Sequence, residues 1–147
     1  MDELLELRAH IEQGHYTEAL ALIGEMEEMS RDDKINKIES YLNILLVHLI
    51  KQQSEQRSTR SWTVSIGNAL DGVVRANKRR KAAGFYLADA ELEEAIAEIY
   101  TTSLRQASLE AFEGRYDETE LAGRFDQENL RAEALHMVLE KQRSRSQ

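Results

Sequence analysis

The chain is densest in apolar residues between Tyr41 and Ile50. A helix over residues 31–54 would carry apolar side chains at spacings of three and four on one face, and further apolar side chains on its other sides. The first set is Ile38, Tyr41, Leu42, Leu45 and Leu49, and the second set is Ile44, Leu46, Val47 and Ile50. We therefore expect this helix to be the buried centre of the fold.

Amphipathic segments with helical periodicity lie on both sides of this central helix. They predict a short first helix that Gly14 ends, a helix over residues 16–29, a helix capped by Thr59 or Ser61 that ends near residue 81, a helix from Asp89 to Gly114 and a last helix over 126–140. A capping box of Asp117 with Glu120 predicts one short helical turn that Gly123 closes. Gly67 and Gly72 fall inside the helix that ends near residue 81, where we expect a close helix approach or a local bend. The absence of proline from 147 residues favours long helices. We predict an all-α fold, a single bundle of five to six helices over residues 1–147, with 141–147 as a frayed tail.

Composition narrows the chemistry that is possible. The chain has no cysteine, which excludes disulfides, thiolate metal sites and a cysteine nucleophile. Its longest apolar run, Ile44 to Val47, is far shorter than the ~20 residues of a membrane span, and the start lacks the order of a signal peptide. We find no nucleophile elbow and no glycine-rich phosphate loop. We therefore expect a cytoplasmic, non-catalytic protein without a cofactor.

Charge is unevenly distributed along the chain. The net charge is −8, yet residues 55–81 carry +5 between acidic stretches. A basic cluster near the end of this block could contact phosphates, and it consists of Arg75, Lys78, Arg79, Arg80 and Lys81. Since it lacks interleaved aromatic residues and a helix-turn-helix pattern, we interpret it as cations at the negative end of a helix dipole. Nucleic-acid binding stays the alternative function.

Two Glu-x-x-His pairs, Glu12 with His15 and Glu133 with His136, have the spacing found in dimetal sites of helical bundles. Gly14 lies inside the first pair at a predicted helix end, which would take its two ligands off a shared face. We expect no metal site, and a helical-bundle metal-binding enzyme stays a second alternative.

Residues 45–53 read LLVHLIKQQ and are followed by Arg60, Ser61 and Trp62. This resembles the bacterial family called domain of unknown function 29, in which a helix reading LL-x-HL-x-K-x-Q precedes a Ser-Trp that opens the next helix. The resemblance covers about residues 9–112 and implies a small all-helical cytoplasmic protein with no established activity, substrate or cofactor. The matching residues are His48, Lys51, Arg60 and Trp62. We expect them to be structural, with Trp62 in the core and His48 hydrogen-bonded to a neighbouring helix.

The last predicted helix is apolar on two sides. One side carries Leu130, Ala134, Met137 and Val138, and the opposite side carries Leu135 and Leu139. A small bundle readily covers only one such side, so we expect Leu135 and Leu139 to form an interface. The function we infer is a protein–protein interaction module. Its partner would be a second copy in a homodimer, or another bacterial protein that it contacts as the acidic partner, for example in an antitoxin-like role.

Overall fold

A computed structural model describes residues 2–79 and 84–145, and their regular secondary structure is helical. The α-helices within these ranges are α1 (Glu3–Glu12), α2 (Tyr16–Glu55), α3 (Arg60–Asn77), α4 (Asp89–Glu110), α5 (Glu118–Ala122) and α6 (Gln127–Arg145). Within the described ranges the one β-type contact is an isolated bridge between Lys78 and Phe85. The all-α prediction is therefore confirmed. No helix in the described part of the chain has the length and apolarity needed to cross a bilayer.

The central helix is longer than predicted. We expected a break near Met29 between one helix over 16–29 and another over 31–54, but α2 continues through this stretch. Residues 25–34 contain neither glycine nor proline, and most of their side chains are exposed. Five of their seven charged residues are glutamate, arginine or lysine, which are good helix formers, so the polarity of this stretch marks a solvent-facing part of a helix and not its end.

Two compact units, residues 1–35 and 36–147, divide the chain within α2. We call residues 1–35 the N-terminal unit. In it a tight turn separates α1 from α2, and Gly14 adopts the φ of +77° that this turn requires. The backbone N–H of His15 donates to the carbonyl of His10 at 2.8 Å. Ala19 and Leu22 are the buried apolar residues of this unit. Organisation as a single domain stays a prediction.

The second unit contains the main core, which is centred on the latter part of α2. Seven of the nine apolar residues expected there are buried, namely Ile38, Leu42, Leu45, Leu46, Val47, Leu49 and Ile50. Tyr41 is partly buried, and Ile44 is 40% exposed. The prediction of burial on nearly all sides is thus confirmed except at Ile44. Residues from the other helices complete this core, among them Val73, Leu92, Ile96, Leu121, Leu130 and Val138.

Close packing between α2 and α3 occurs at Gly72. A Cβ atom at Gly72 would lie 2.5 Å from ring carbons of Tyr41, so only glycine fits this contact without rearrangement. At Gly67 a Cβ atom would meet nothing within 4 Å. The predicted close approach is therefore found at Gly72, and Gly67 takes no part in it.

The side chain of Asn77, the last residue of α3, forms hydrogen bonds with the connection between α3 and α4. This side chain is fully buried, and its Oδ1 accepts a hydrogen bond from the backbone N–H of Leu87 at 2.8 Å. Its Nδ2 donates to the carbonyl of Leu87 at 3.2 Å and to Oε1 of Gln142 at 2.8 Å. A buried amide with these partners fixes both ends of the connection between α3 and α4, together with the end of α6.

The last helix extends further than expected. We predicted a frayed tail over residues 141–147, but α6 is helical as far as Arg145, and residues 146–147 lie outside the described ranges. The guanidinium of Arg145 lies 2.8 Å from Oδ1 of Asp71, and Nζ of Lys141 lies 3.4 Å from the same atom. These ion pairs to α3 support the final turn.

Candidate functional site

Lys51 is a buried lysine near the end of α2, with 7% of its surface exposed. Its Nζ lies 3.0 Å from Oε1 of Glu110, the last residue of α4. The same Nζ lies 4.7 Å from the ring centre of Trp62, in the first turn of α3. A buried ammonium group is tolerated when a counter-charge and hydrogen bonds replace its water. Lys51 therefore joins α2, α3 and α4 at one point.

Trp62 is partly buried, which corrects the prediction that it is a core residue. Thr59 caps α3, because its Oγ1 accepts the backbone N–H of Trp62 at 3.1 Å. The guanidinium of Arg57 lies 4.8 Å from the ring centre of Trp62, so two cations, Arg57 and Lys51, contact this ring. Cations that contact an aromatic ring remain close to water, and the ring of Trp62 accordingly keeps part of its surface in solvent.

His48 lies one turn before Lys51 and is partly buried. We expected a hydrogen bond from His48 to a neighbouring helix, but its buried Nδ1 has no hydrogen-bond partner among the described residues. Burial lowers the pKa of His48, and the positive charge of Lys51 lowers it further, while Glu110 acts in the opposite direction. An orphaned ring nitrogen beside a lysine favours the neutral imidazole.

The family-motif residues separate into two groups. His48 interacts electrostatically with Lys51 and Glu110, and the ring of Trp62 contacts Lys51. Arg60 is exposed and makes no hydrogen bond or ion pair with the described residues. Sequence reasoning missed Glu110, because a glutamate at the end of an acidic helix carries no sign of a partner 59 residues away. The ammonium group of Lys51 is already bound within the fold by Glu110 and by the ring of Trp62.

Beside this cluster the chain adopts a left-handed turn. Residues 112–114 have φ angles of +51°, +56° and +77°, although only the last is glycine. Oε2 of Glu55 accepts the backbone N–H of Phe112 at 3.2 Å. The guanidinium of Arg124 lies 3.8 Å from the ring centre of Tyr116 and 5.3 Å from that of Phe112. Left-handed non-glycine residues cost roughly 1–2 kcal/mol each, and these contacts offset that cost.

The basic cluster is only partly within the described residues. Arg75, Lys78 and Arg79 are exposed, whereas Arg80 and Lys81 lie outside the described ranges. Arg79 has its guanidinium 5.9 Å from the ring centre of Tyr86. Nucleic-acid binding by this cluster stays a prediction.

Leu135 and Leu139 are both partly buried on α6. Leu135 lines a cleft of about 370 Å³ between α4 and α6, together with Glu93, Ile96, Ala97, Glu128, Arg131 and Ala132. Next to the cleft, the guanidinium of Arg131 lies 4.7 Å from the ring centre of Tyr100, whose hydroxyl donates to Oε1 of Gln127 at 2.9 Å. Burial raises the pKa of Tyr100 to about 12, so its hydroxyl stays protonated and serves as a donor. Of the two predicted interface residues, Leu135 thus borders a mixed polar and apolar cleft.

The glutamates of both Glu-x-x-His pairs have other partners. Oε1 of Glu12 pairs with Arg8 at 2.8 Å, and Oε2 of Glu133 accepts from Nε2 of Gln53 at 2.7 Å. Among residues 2–79 and 84–145, no three His, Asp or Glu side chains are grouped as a metal site would require.

We call His48, Lys51, Trp62 and Glu110 the motif cluster. Together with the described fold, it defines an all-helical protein in which a buried lysine joins three helices. The chain belongs to the family described as Domain of unknown function DUF29, whose family model matches residues 9–133. This confirms the resemblance seen in the sequence and extends it beyond residue 112. Comparisons with curated proteins and with solved structures give no match. The function must therefore be inferred from the surfaces of the protein itself.

Proposed function

We propose that this protein is a non-catalytic protein–protein interaction module of the bacterial cytoplasm. The observation that carries this proposal is the apolar surface of the N-terminal unit. Helix α1 has no buried residue, and its Leu4 and Leu5 are 63% and 60% exposed. Leu20 in α2 is 69% exposed. Single exposed leucines are ordinary, but several within one short unit are typical of a surface that a partner covers.

The surface around Leu135 and Leu139 supports the same proposal independently. Both side chains keep part of their surface in solvent, and Leu135 lines the cleft between α4 and α6. A homodimer through this surface would be isologous, so each copy would place its Leu135 and Leu139 against the other copy. In an antitoxin-like complex, a different protein would cover Leu135 and Leu139 instead.

The motif cluster supports a non-catalytic role. Lys51 is held by Glu110 and by the ring of Trp62. The carboxylate of Glu55 accepts the backbone N–H of Phe112 and forms an ion pair with Arg57. Charged groups that already satisfy one another within a fold stabilise that fold, and they would have to exchange partners to bind a substrate.

Affinity capture of the full chain from cells that produce it naturally, combined with sedimentation, tests the proposal. One variant set carries Leu4→Ser, Leu5→Ser and Leu20→Ser, and a second carries Leu135→Glu and Leu139→Glu. Leu109→Ser is the matched control, since Leu109 is 75% exposed in the other unit. We expect wild type and control to retain one stoichiometric partner, or a second copy, that one of the two sets loses. A strict monomer that retains no protein above background would overturn the proposal.

A further inference from the structure

The net charge of the protein lies almost entirely in the N-terminal unit. Residues 1–35 carry ten acidic and three basic side chains, a net charge of −7 out of −8 for the whole chain. Residues 36–147 carry 17 acidic and 16 basic side chains and are nearly neutral. The unit that exposes the most apolar side chains is therefore also strongly acidic.

The N-terminal unit exposes several large apolar side chains. They are Leu4 (63%), Leu5 (60%), Ile11 (48%), Tyr16 (65%), Leu20 (69%) and Met29 (56%). A concentration of large exposed apolar side chains in so short a stretch is typical of a surface that a partner covers. Acidic residues alternate with them along the chain, among them Glu3, Glu6, Glu12 and Glu18.

Gly24 adds a steric feature to this surface. Tyr16, Leu20 and Gly24 follow one another at intervals of four residues, so they lie along one face of α2. Gly24 is exposed, its φ is not left-handed, and a Cβ atom there would meet nothing within 4 Å. Glycine inside a helix is disfavoured relative to alanine, and neither the backbone nor the packing of this chain requires it here. A glycine at this position allows the backbone of another helix to approach closely.

We infer that this face of the N-terminal unit binds a cationic amphipathic helix of a partner protein, with apolar residues against Tyr16, Leu20 and Gly24 and with lysine or arginine at its edges. The inference rests on the proposed function and names the partner's chemistry. A second copy of this chain fits the face poorly, because it would bring a second charge of −7 against the first. The same repulsion acts against anionic lipid and nucleic acid.

Synthetic helical peptides of about five turns test the chemistry of the partner. The first has one leucine face and lysines elsewhere, the second has glutamate in place of lysine, and the third has the composition of the first in a scrambled, non-amphipathic order. We expect the full-length protein to bind the first peptide about tenfold or more tightly than the other two, as measured by fluorescence anisotropy. Its affinity should fall several-fold as salt is raised, because the edge charges are screened. Equal binding of the first and third peptides would overturn the inference.

Matched variants test the location of the site. Gly24→Gln should block close approach, and Leu20→Ser should remove an apolar contact, so each should weaken binding about tenfold. Gly67→Gln and Leu109→Ser are the controls, since Gly67 is also an exposed helical glycine with nothing within 4 Å of a Cβ, and both lie in the other unit. We expect both controls to bind as wild type does. Equal weakening by Gly24→Gln and Gly67→Gln would overturn the inference.

Capture from cells separates this inference from the proposed function. A natural partner lost by Gly24→Gln and Leu20→Ser would support both. A partner that both variants retain, but that Leu135→Glu with Leu139→Glu loses, would overturn the inference while the interaction function stands. A dimer in sedimentation that Leu20→Ser dissociates would also overturn the inference, because the occupant would then be a second copy.

Discussion

Nζ of Lys51 and Oε1 of Glu110 lie 3.0 Å apart in an ion pair whose two members differ in burial. The lysine side chain is 8% exposed and the glutamate side chain is 41% exposed. Lys51 therefore loses its water on folding and depends on Glu110 for compensation, whereas Glu110 stays hydrated on one side. The pair connects the end of α2 to the end of α4, and it should contribute more to stability than an ordinary surface pair.

Removing the charge of Glu110 should destabilise the fold. Glu110→Gln leaves the buried ammonium of Lys51 with a neutral partner, and we expect a loss of about 1–3 kcal/mol, less than for a fully buried pair because water reaches Glu110. Glu118→Gln is the control, since Glu118 is 38% exposed and pairs with Arg105, whose side chain is 64% exposed, at 3.4 Å. That change should cost less than about 0.5 kcal/mol. Urea unfolding measures both, and equal losses would contradict a special role for Lys51.

The cations around Trp62 should control access to its ring. Arg57→Ala removes a guanidinium 4.8 Å from the ring centre, so a neutral quencher should reach the indole more easily. Arg60→Ala should leave quenching as in wild type, because Arg60 is exposed and has no bonded partner among the described residues. Since Trp62 is the sole tryptophan, its fluorescence reports this directly. Equal quenching of both variants would mean that Arg57 does not cover the ring in solution.

The centre of the fold could be predicted from sequence because burial leaves a periodic apolar pattern, and Leu42, Leu45 and Leu49 follow it. The extent of α2 could not, because the polarity of residues 25–34 indicates exposure and is compatible both with a loop and with a solvated helix. Its continuation agrees with the absence of glycine and proline from that stretch, since these are the residues that most often end a helix.

Only part of the candidate site could be predicted from the sequence. The motif indicated Lys51 and Trp62, but the contact with Glu110 depends on how α2 and α4 pack, which no local pattern specifies. Residues 112–114 were missed for a related reason. Their left-handed backbone is held by the distant Glu55, and Phe112 is not a residue that local propensity would place there.

The pKa of His48 should make folding sensitive to mild acid. Burial and the charge of Lys51 lower this pKa below its ordinary value, whereas the unfolded chain keeps a pKa of about 6.5. As pH falls through about 6.5, the unfolded state therefore binds a proton that folded His48 does not yet accept. The contribution of neutral His48 to the free energy of unfolding is therefore fully present above about pH 6.5, and it decreases as the pH falls toward the pKa of His48 in the folded state.

Urea unfolding between about pH 7.5 and about pH 5.5 measures this effect. Stability should fall less steeply in His48→Gln than in wild type, and His136→Gln, at an exposed position, should follow wild type. Burial, and secondarily Glu98, raise the pKa of Glu39, which acts in the opposite direction because the folded state then takes up the proton first. All three chains share that contribution, so it cancels in the comparison. Parallel curves for wild type and His48→Gln would contradict the prediction.

Alanine at two glycines of α3 should change stability in opposite directions. At Gly72 a Cβ atom would lie 2.5 Å from the ring of Tyr41, so Gly72→Ala forces the two helices or the ring to move, at a cost of about 1–3 kcal/mol. At Gly67 the Cβ atom meets nothing within 4 Å, and Gly67→Ala should stabilise the protein by about 0.5–1 kcal/mol through helix propensity alone. The two positions lie in the same helix, so their intrinsic helix preferences are alike and the difference between the variants isolates the contact with Tyr41. Thermal unfolding followed by circular dichroism measures both, and a gain of stability in both variants would show that α2 and α3 do not meet at Gly72.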